Sequence, residues 1–283
     1  MLPPVTGPLS TFARVILVAW NVAMSVVCFT MFTWIVHDRH MPGWPDVLDR
    51  VKHGPVVDVA GRNVPLAIAV DVLIVAAFGL IHAGSARRSF YVALGTLGVP
   101  RPTLRTVFMT MTAAAWLGVM FLWQPTGLVV FDSRPALAAI GIAPALVDEY
   151  GPLIPFAFVL LCLWMVVRHG PFRFSGIRQL LSDPECTDDM GRLRRDASPR
   201  LLTTGMYAVV RHPIYLYLLA SVVVRPVLSL DLLVWFASLV VLLIVALPHE
   251  ERKLIAVFGD DYRNYQLRTP AFIPLWPTRR LNR

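Results

Sequence analysis

Apolar residues run along this chain in long blocks that do not alternate with polar ones. A block of about 20 apolar residues lets a helix cross a bilayer, whereas a transmembrane barrel is built from short alternating segments. The pattern therefore predicts an all-α, polytopic helical membrane protein with about six transmembrane helices. The predicted spans cover 12–36, 64–82, 106–124, 152–168, 206–224 and 230–247.

Three features stand apart from this series of spans. The stretch 135–147, PALAAIGIAPALV, is too short to cross, so we interpret it as a re-entrant or interfacial piece. The segment 182–200 is polar and of mixed charge, which is typical of a solvated cytoplasmic connector. Asp71 lies in the middle of the second span, and the sequence indicates no partner for it.

The composition agrees with a membrane protein. The 283 residues are 56% hydrophobic, with a mean hydropathy of +0.62. Because Cys28, Cys162 and Cys186 are scattered, neither a disulfide framework nor a cysteine metal site is predicted. The first apolar run is long and no basic segment precedes it, so we expect no signal peptide.

The basic residues predict an orientation. Arginines collect in 83–105, in 168–200 and after 250, and six spans place all three segments on one face of the membrane. Basic loops mark the cytoplasmic side, so both termini are expected to be cytoplasmic. The net charge of +8 is explained in this way, and no nucleic-acid partner is predicted.

A charged motif interrupts the fifth span. In the sequence GMYAVVRHPIYLYLLASVVV, Arg211 and His212 stand directly before Pro213. Proline lacks a backbone N–H and disfavours helical geometry in the residue before it, so the helix is predicted to kink or restart here. Ionisable groups at such depth indicate a functional site, although a snorkelling arginine and a histidine that caps a kink explain the motif equally well.

An acidic pair follows the last span. We predict that this span ends at Pro248, directly before Glu250 and Glu251. In the amphipathic segment after them, Tyr262 and Tyr265 share one helix face. Taken alone, this segment is typical of an interfacial helix that carries solvated acids.

The two motifs together predict a binding site. A turn at 225–229 makes the last two spans a hairpin, and helical rise puts His212 and Glu250 about 21 Å and 31 Å from that turn. They would flank one cavity with an offset of about 10 Å, which suits an elongated ligand charged at both ends. The chain has no phosphate loop, dinucleotide fingerprint or histidine metal spacing, so we expect no metal. S-adenosyl-L-methionine suits the groups present, because Arg or His can bind its carboxylate, Glu its amine or ribose, and Tyr faces its sulfonium.

The motifs of the last two spans resemble those of a known family. RHPIY at 211–215, EER at 250–252, FGDDYRNY at 258–265 and the final IPL resemble the isoprenylcysteine carboxyl methyltransferase and phospholipid methyltransferase superfamily over about 200–275. The resemblance implies an S-adenosyl-L-methionine site formed by His212, Tyr215, Glu250 and Glu251, closed by Gly205 and Tyr207, with Arg268 near the transferred methyl group.

A second set of segments is similar to a bacterial branch, the NnrU-like and methanethiol S-methyltransferase proteins. GLIHAGSARRSF (79–90), LWQPTGLVVFD (122–132) and SGIRQLL (175–181) extend the resemblance to about 65–275. It implies a functional role for His82, which with Glu251 is a candidate proton acceptor.

We therefore predict an integral-membrane S-adenosyl-L-methionine-dependent methyltransferase, placed in a bacterial inner membrane. A methyltransferase domain over 64–283 would follow an extra N-terminal helix and loop over 1–63. The expected acceptor is a small thiol or a lipophilic molecule, including an isoprenylcysteine-type carboxylate, that enters from the lipid bilayer. Two alternatives stay open: a non-enzymatic NnrU-type accessory of nitrogen-oxide metabolism, and a sterol-reductase-like enzyme.

Overall fold

A computed structural model describes residues 9–36, 58–151, 153–168, 170, 172, 175–182 and 201–272. In these residues the chain is a set of helices with two short strands, which confirms the all-α membrane class. Most of the predicted polar connector 182–200, Cys186 and the final IPL motif lie outside the described residues. The elements, in chain order, are α1 (Thr11–Val36), α2 (Val64–Ser85), α3 (Arg88–Thr96), a 3₁₀ turn (Arg101–Thr103), α4 (Leu104–Leu122), β1 (Val129–Asp132), α5 (Arg134–Ala139), α6 (Pro144–Tyr150), α7 (Leu153–Arg168), α8 (Ile177–Leu181), α9 (Met206–Val209), α10 (Pro213–Val223), β2 (Val227–Ser229), α11 (Leu230–Phe258) and α12 (Asp260–Arg268).

Within the described residues, five helical segments are long and apolar enough to cross a membrane. The chain is therefore an integral membrane protein. The fifth predicted span is the exception in length, because its helix is limited to the 11 residues of Pro213–Val223. The five segments are Thr11–Phe29, Val64–Ser85, Arg101–Leu122, Pro144–Arg168 and Leu230–Phe258.

The chain divides into two compact units. The described residues within 1–129, 166–198 and 229–235 form the first unit, and those within 130–165, 199–228 and 236–283 form the second. In the first unit α4 packs against α1 and α2, and α8 packs against α1. Apolar helices that pack in this way bury the faces that they turn towards one another.

Buried polar side chains join the elements of the first unit. Asn21 Nδ2 donates to Thr106 Oγ1 at 2.8 Å and thereby links α1 to α4. Asp71 is 1% exposed and accepts the backbone N–H of Gln124 at 2.7 Å. The Gln124 side chain in turn accepts the backbone N–H groups of Val59 and Ala60. Asp71 thus fixes the end of α4 in place, a partner that the sequence did not indicate.

The prediction that the last span ends at Pro248 is wrong. Helix α11 continues through this proline as far as Phe258. An internal proline removes one backbone hydrogen bond and costs about 3 kcal/mol. Side chains contact backbone carbonyls on both sides of the missing hydrogen bond. His249 Nδ1 lies 3.0 Å from the Val245 carbonyl oxygen, and Arg252 Nε donates to the Pro248 carbonyl at 3.0 Å. Tertiary contacts of the two glutamates that follow, described below, also hold the helical turn after the proline.

Candidate functional site

The RHPIY motif begins a new helix, as its sequence predicts. Val210 is extended (φ −141°, ψ 149°), His212 is also non-helical, and α10 starts at Pro213. The backbone N–H groups freed by this break are used, because Arg211 N donates to the Pro270 carbonyl at 2.8 Å and His212 N to the Ala271 carbonyl at 3.1 Å. The end of the described chain is therefore joined directly to the motif.

Arg211 and Glu251 form a buried clamp. Arg211 Nε donates to Glu251 Oε1 at 2.8 Å and Nη2 lies 2.6 Å from the same oxygen. Arg211 Nη1 donates to the backbone carbonyls of Gln266 (3.2 Å) and Thr269. The other carboxylate oxygen accepts Gln266 Nε2 at 2.7 Å, and the two charged side chains are only 11% and 14% exposed. The clamp fastens α12 and the segment after it to α11.

The predicted offset of about 10 Å between the cationic motif and the acids is wrong. His212 Nε2 lies 3.3 Å from Glu251 Oε1, and Arg211 touches the same carboxylate. The estimate counted every residue up to the turn as helical. His212 is instead non-helical (φ −125°, ψ 67°), and the connection between α10 and α11 contains β2 (Val227–Ser229), so the helical rise of about 1.5 Å per residue does not hold at every step. The long side chains of arginine and glutamate cover the remaining distance.

Glu250, the other glutamate of the pair, lies beside three aromatic rings. We call these four residues the aromatic–carboxylate cluster: His212, Tyr215, Glu250 and Phe272. The His212 and Tyr215 rings are stacked, with centroids 5.4 Å apart and 8° between planes. Phe272 lies 5.9 Å from the first ring and 6.1 Å from the second. Tyr215 Oη donates to Glu250 Oε2 at 2.6 Å, and His212 Nδ1 lies 4.0 Å from that oxygen. The contact across α10 and α11 confirms that these helices form a hairpin.

The two neighbouring glutamates have different surroundings. Glu251 is 14% exposed, and its oxygens already contact an arginine, a glutamine, a histidine and a tyrosine. Glu250 is 43% exposed and stands beside aromatic faces. A partly exposed carboxylate next to ring faces is suited to a cationic ligand, since both groups attract positive charge. Glu250 is therefore the better candidate for direct ligand contact.

Tyr262 and Tyr265 lie behind the clamp. Their rings meet edge to face at 5.8 Å, and both side chains are buried. Tyr262 Oη donates to Glu251 Oε1 at 3.4 Å, and Tyr265 Oη donates to the Tyr207 carbonyl at 2.5 Å. Burial raises the pKa of Tyr265 to about 12, and burial followed by the charge of Glu251 raises the pKa of Tyr262. Both phenols thus act as neutral hydrogen-bond donors that brace α12.

The remaining predicted site residues lie in different places. Gly205 has φ +64° and precedes the short helix α9, which carries Tyr207. Burial, and after it the charge of Glu250, raises the pKa of Tyr207, so this phenol lies within the field of the cluster. Arg268 is exposed at the last turn of α12.

His82 belongs to the first unit. Its Nδ1 lies 3.2 Å from Thr112 Oγ1, and its ring is stacked on Phe78 (centroids 5.7 Å apart) and tilted against Phe108 (5.2 Å). Its side chain is nevertheless exposed on one side. The threonine and the two rings therefore fix the orientation of an accessible imidazole.

Sequence reasoning missed two members of the site. Gln266 binds the buried glutamate, and Phe272 contributes a ring to the cluster. The glutamine stands four residues after Tyr262 and so shares its helix face, a signal that helical periodicity could have supplied. Phe272 follows Pro270 in an irregular segment, where no periodic pattern indicates direction.

Comparison with known proteins gives the chain relatives among named methyltransferases. No family model and no solved structure matches it. The methanethiol S-methyltransferase of Pseudomonas deceptionensis is 26% identical over 76% of this chain and 75% of its own length. Nurim of Danio rerio is 30% identical over 64% of this chain and 62% of its own length.

A further relative matches a shorter part of the chain. The protein-S-isoprenylcysteine O-methyltransferase of Schizosaccharomyces pombe is 33% identical over 30% of this chain and 37% of its own length. The RHPIY and EER motifs predicted a relative of the O-methyltransferase kind, and the segment GLIHAGSARRSF predicted the S-methyltransferase kind. These similarities are consistent with the isoprenylcysteine carboxyl methyltransferase-like superfamily that the motifs resemble.

Proposed function

We propose that the protein is a membrane methyltransferase that uses S-adenosyl-L-methionine and binds it at the aromatic–carboxylate cluster. The observation that carries the proposal is the stacked pair of His212 and Tyr215, with Phe272 tilted against both rings, beside the partly exposed Glu250 carboxylate. Methyltransferases among the relatives support the reaction class.

The residues of the cluster fit the charges of this cofactor. When bound, it supplies a methyl group on a positively charged sulfonium. Glu250 can accept hydrogen bonds from an ammonium or from ribose hydroxyls, and its bond with Tyr215 fixes the direction in which the carboxylate points. The ring faces of Tyr215 and Phe272 offer cation–π attraction of about 0.5–2 kcal/mol.

Arg211 has a different part in this proposal from the one that its charge first indicated. Its guanidinium donates to Glu251, Gln266 and Thr269. It is therefore a positioning residue, which holds in place the segment that carries Phe272. The carboxylate of the cofactor would be bound by other donors, for which the exposed Arg268 is a candidate.

The acceptor that we propose is a small thiol. The relatives named methanethiol S-methyltransferase support this choice over an isoprenylcysteine-type carboxylate. A thiol requires little more from the protein than loss of its proton and alignment of the sulfur at about 3–3.5 Å from the methyl carbon. The resemblance of 79–90 to the bacterial branch makes His82 our candidate to accept the thiol proton, and Thr112 holds its ring.

The proposed orientation puts the cofactor site at the cytoplasmic face. A water-soluble, charged cofactor is available there, and the arginine-rich segments 83–105 and 168–200 favour that side. Both termini would then be cytoplasmic, in the inner membrane of a bacterium. Reporter fusions to the C-terminus test this: a cytoplasmic reporter such as a fluorescent protein should be active, and an exported phosphatase should not.

A methyl-transfer assay tests the function. Purified protein in lipid nanodiscs is incubated with labelled S-adenosyl-L-methionine and either methanethiol, a longer alkyl thiol or a prenylated cysteine. We expect labelled thioether from the small thiol, and a rate at least about tenfold lower in Glu250→Gln, because a charged hydrogen bond is lost. Glu149→Gln, an exposed glutamate of α6, is the control and should keep the wild-type rate. Absence of turnover with every acceptor would favour a non-enzymatic component.

A further inference from the structure

Residues 135–146, which we call the apolar hairpin, form an unusual surface of the second unit. Their sequence PALAAIGIAPAL has no side chain that can form a hydrogen bond or carry a charge. Every residue except Leu137 is nevertheless exposed, with Ile140 exposed by 74% and Leu146 by 49%. A continuous apolar surface of this kind indicates a binding partner.

Several backbone groups of the apolar hairpin form hydrogen bonds within the hairpin. Gly141 has φ +89°, and its N–H donates to the Ala138 carbonyl at 3.0 Å. Ile142 N donates to the Leu137 carbonyl at 3.0 Å, which completes a Schellman motif at the end of α5. Leu146 N donates to the Ala143 carbonyl at 2.9 Å. Such internal pairing is what a segment needs where no water is available to its backbone.

Charges are confined to the base of the hairpin. Arg134 donates from Nη2 to Asp132 at 2.7 Å and from Nη1 to Asp148 at 3.2 Å, so one guanidinium joins the two ends. The N–H and hydroxyl of Ser133 both donate to the Pro226 carbonyl at 2.9 Å. The base is thus polar and fixed to Pro226, directly before β2, whereas the tip is wholly apolar.

The apolar surface continues into a membrane span. Helix α6 and helix α7 form one candidate span over Pro144–Arg168. At the start of α7, Leu153 and Ile154 are exposed by 56% and 53%. The hairpin surface therefore adjoins a surface that faces lipid, and its 12 residues are too few to cross the bilayer themselves.

We propose that the partner of the apolar hairpin is the lipid bilayer. The hairpin would insert into one leaflet of the membrane, on the side where residues 224–229 connect α10 to α11. Its tip would lie among the acyl chains, while Arg134 and its two aspartates would remain at the headgroup level. This is the arrangement of an interfacial amphipathic segment, with apolar and charged parts separated by depth. The inference does not depend on the proposed catalytic function.

Single cysteines in the full chain test this proposal. In a background in which Cys28, Cys162 and Cys186 are replaced by alanine, Ile140→Cys and Leu146→Cys are compared with Glu149→Cys. All are reconstituted in nanodiscs and treated with a charged, membrane-impermeant maleimide, and folding is checked by gel filtration. We expect labelling at least about tenfold slower at 140 and 146 than at 149, because a charged reagent enters the apolar region poorly. Denaturation in detergent should abolish the difference.

A fluorescent probe separates lipid from other partners. A polarity-sensitive probe is attached at position 140, either after denaturation and refolding or during exposure to detergent. In nanodiscs this probe should emit at shorter wavelength than the same probe at position 149. Lipids that carry a quencher on the acyl chain should reduce its emission more than they reduce that of a probe at 149. Equal labelling at 140 and 149 would overturn the proposal. Protection without quenching by lipid would also overturn it and would indicate a second protein copy.

Discussion

The Arg211–Glu251 clamp makes a prediction about the stability of α12. Replacing Arg211 with methionine keeps an unbranched apolar stem but removes the donors to Glu251, Gln266 and Thr269. The carboxylate left behind is only 14% exposed. Removing one partner from a buried ion pair costs about 3–5 kcal/mol, because the other charge remains desolvated. Gln266 and Tyr262 still donate to Glu251, so we expect a cost near the lower bound, about 3 kcal/mol.

Hydrogen exchange of the backbone amides in 260–268 measures this cost locally. A loss of about 3 kcal/mol in the free energy of opening corresponds to exchange about 10²-fold faster, since 1.4 kcal/mol is a factor of ten. The matched control is Arg263→Met in the same helix. Arg263 pairs with Asp260 at 2.6 Å, but these side chains are 61% and 84% exposed. An exposed pair contributes only about 0–1 kcal/mol, so the control should change exchange by less than about fivefold.

The result that would refute the reasoning is equal exchange in the two variants. It would mean that α12 is held by its buried tyrosines alone and that Arg211 is not a positioning residue. A second comparison strengthens the test, because Arg211→Lys keeps the charge and loses the forked geometry. We expect it to recover only part of the lost protection.

Three further predictions concern other parts of the second unit and the bundle. Tyr215→Phe removes the 2.6 Å hydrogen bond to Glu250 and should weaken S-adenosylhomocysteine binding by about tenfold or more in calorimetry, and unchanged affinity would contradict it. The pKa of Tyr265 is raised to about 12, so the stability that its neutral phenol contributes is complete below pH 10 and is lost as the pH rises through 12. A thermal midpoint that stays constant between pH 10 and 12 would contradict this prediction. Gly151→Ala should lower the thermal midpoint, because a Cβ atom there would strike a backbone carbonyl and come within 2.9 Å of a proline ring, whereas Gly118→Ala has no atom within 4 Å and should not.

Sequence patterns predicted the parts of this fold that depend on local chemistry. The apolar blocks predicted the membrane helices, and the restart at Pro213 followed from the missing N–H of proline. Pro248 shows the limit of such reasoning. The same residue type breaks one helix and is accommodated in another, because the contacts of Glu250 and Glu251 hold the turn that follows. Those contacts come from residues about 35–40 positions earlier, which a local rule does not include.

The motifs predicted which residues lie together better than they predicted the distances between them. The motifs indicated His212, Tyr215 and Glu250, which the structure brings together. The sequence could not separate the tasks of adjacent glutamates, because the difference between them is burial and partners. Nor could it predict that Arg211 is taken up by backbone carbonyls, since an irregular segment supplies one of them.

The measurement that tests the central claim most directly is equilibrium binding of S-adenosylhomocysteine to the purified protein by calorimetry. We expect saturable binding to the wild type, and an affinity about tenfold or more weaker in folded Glu250→Gln protein. The exposed Glu149→Gln variant should bind like the wild type. Equal affinity in wild type and Glu250→Gln, or no binding by folded protein, would contradict a cofactor site at the aromatic–carboxylate cluster.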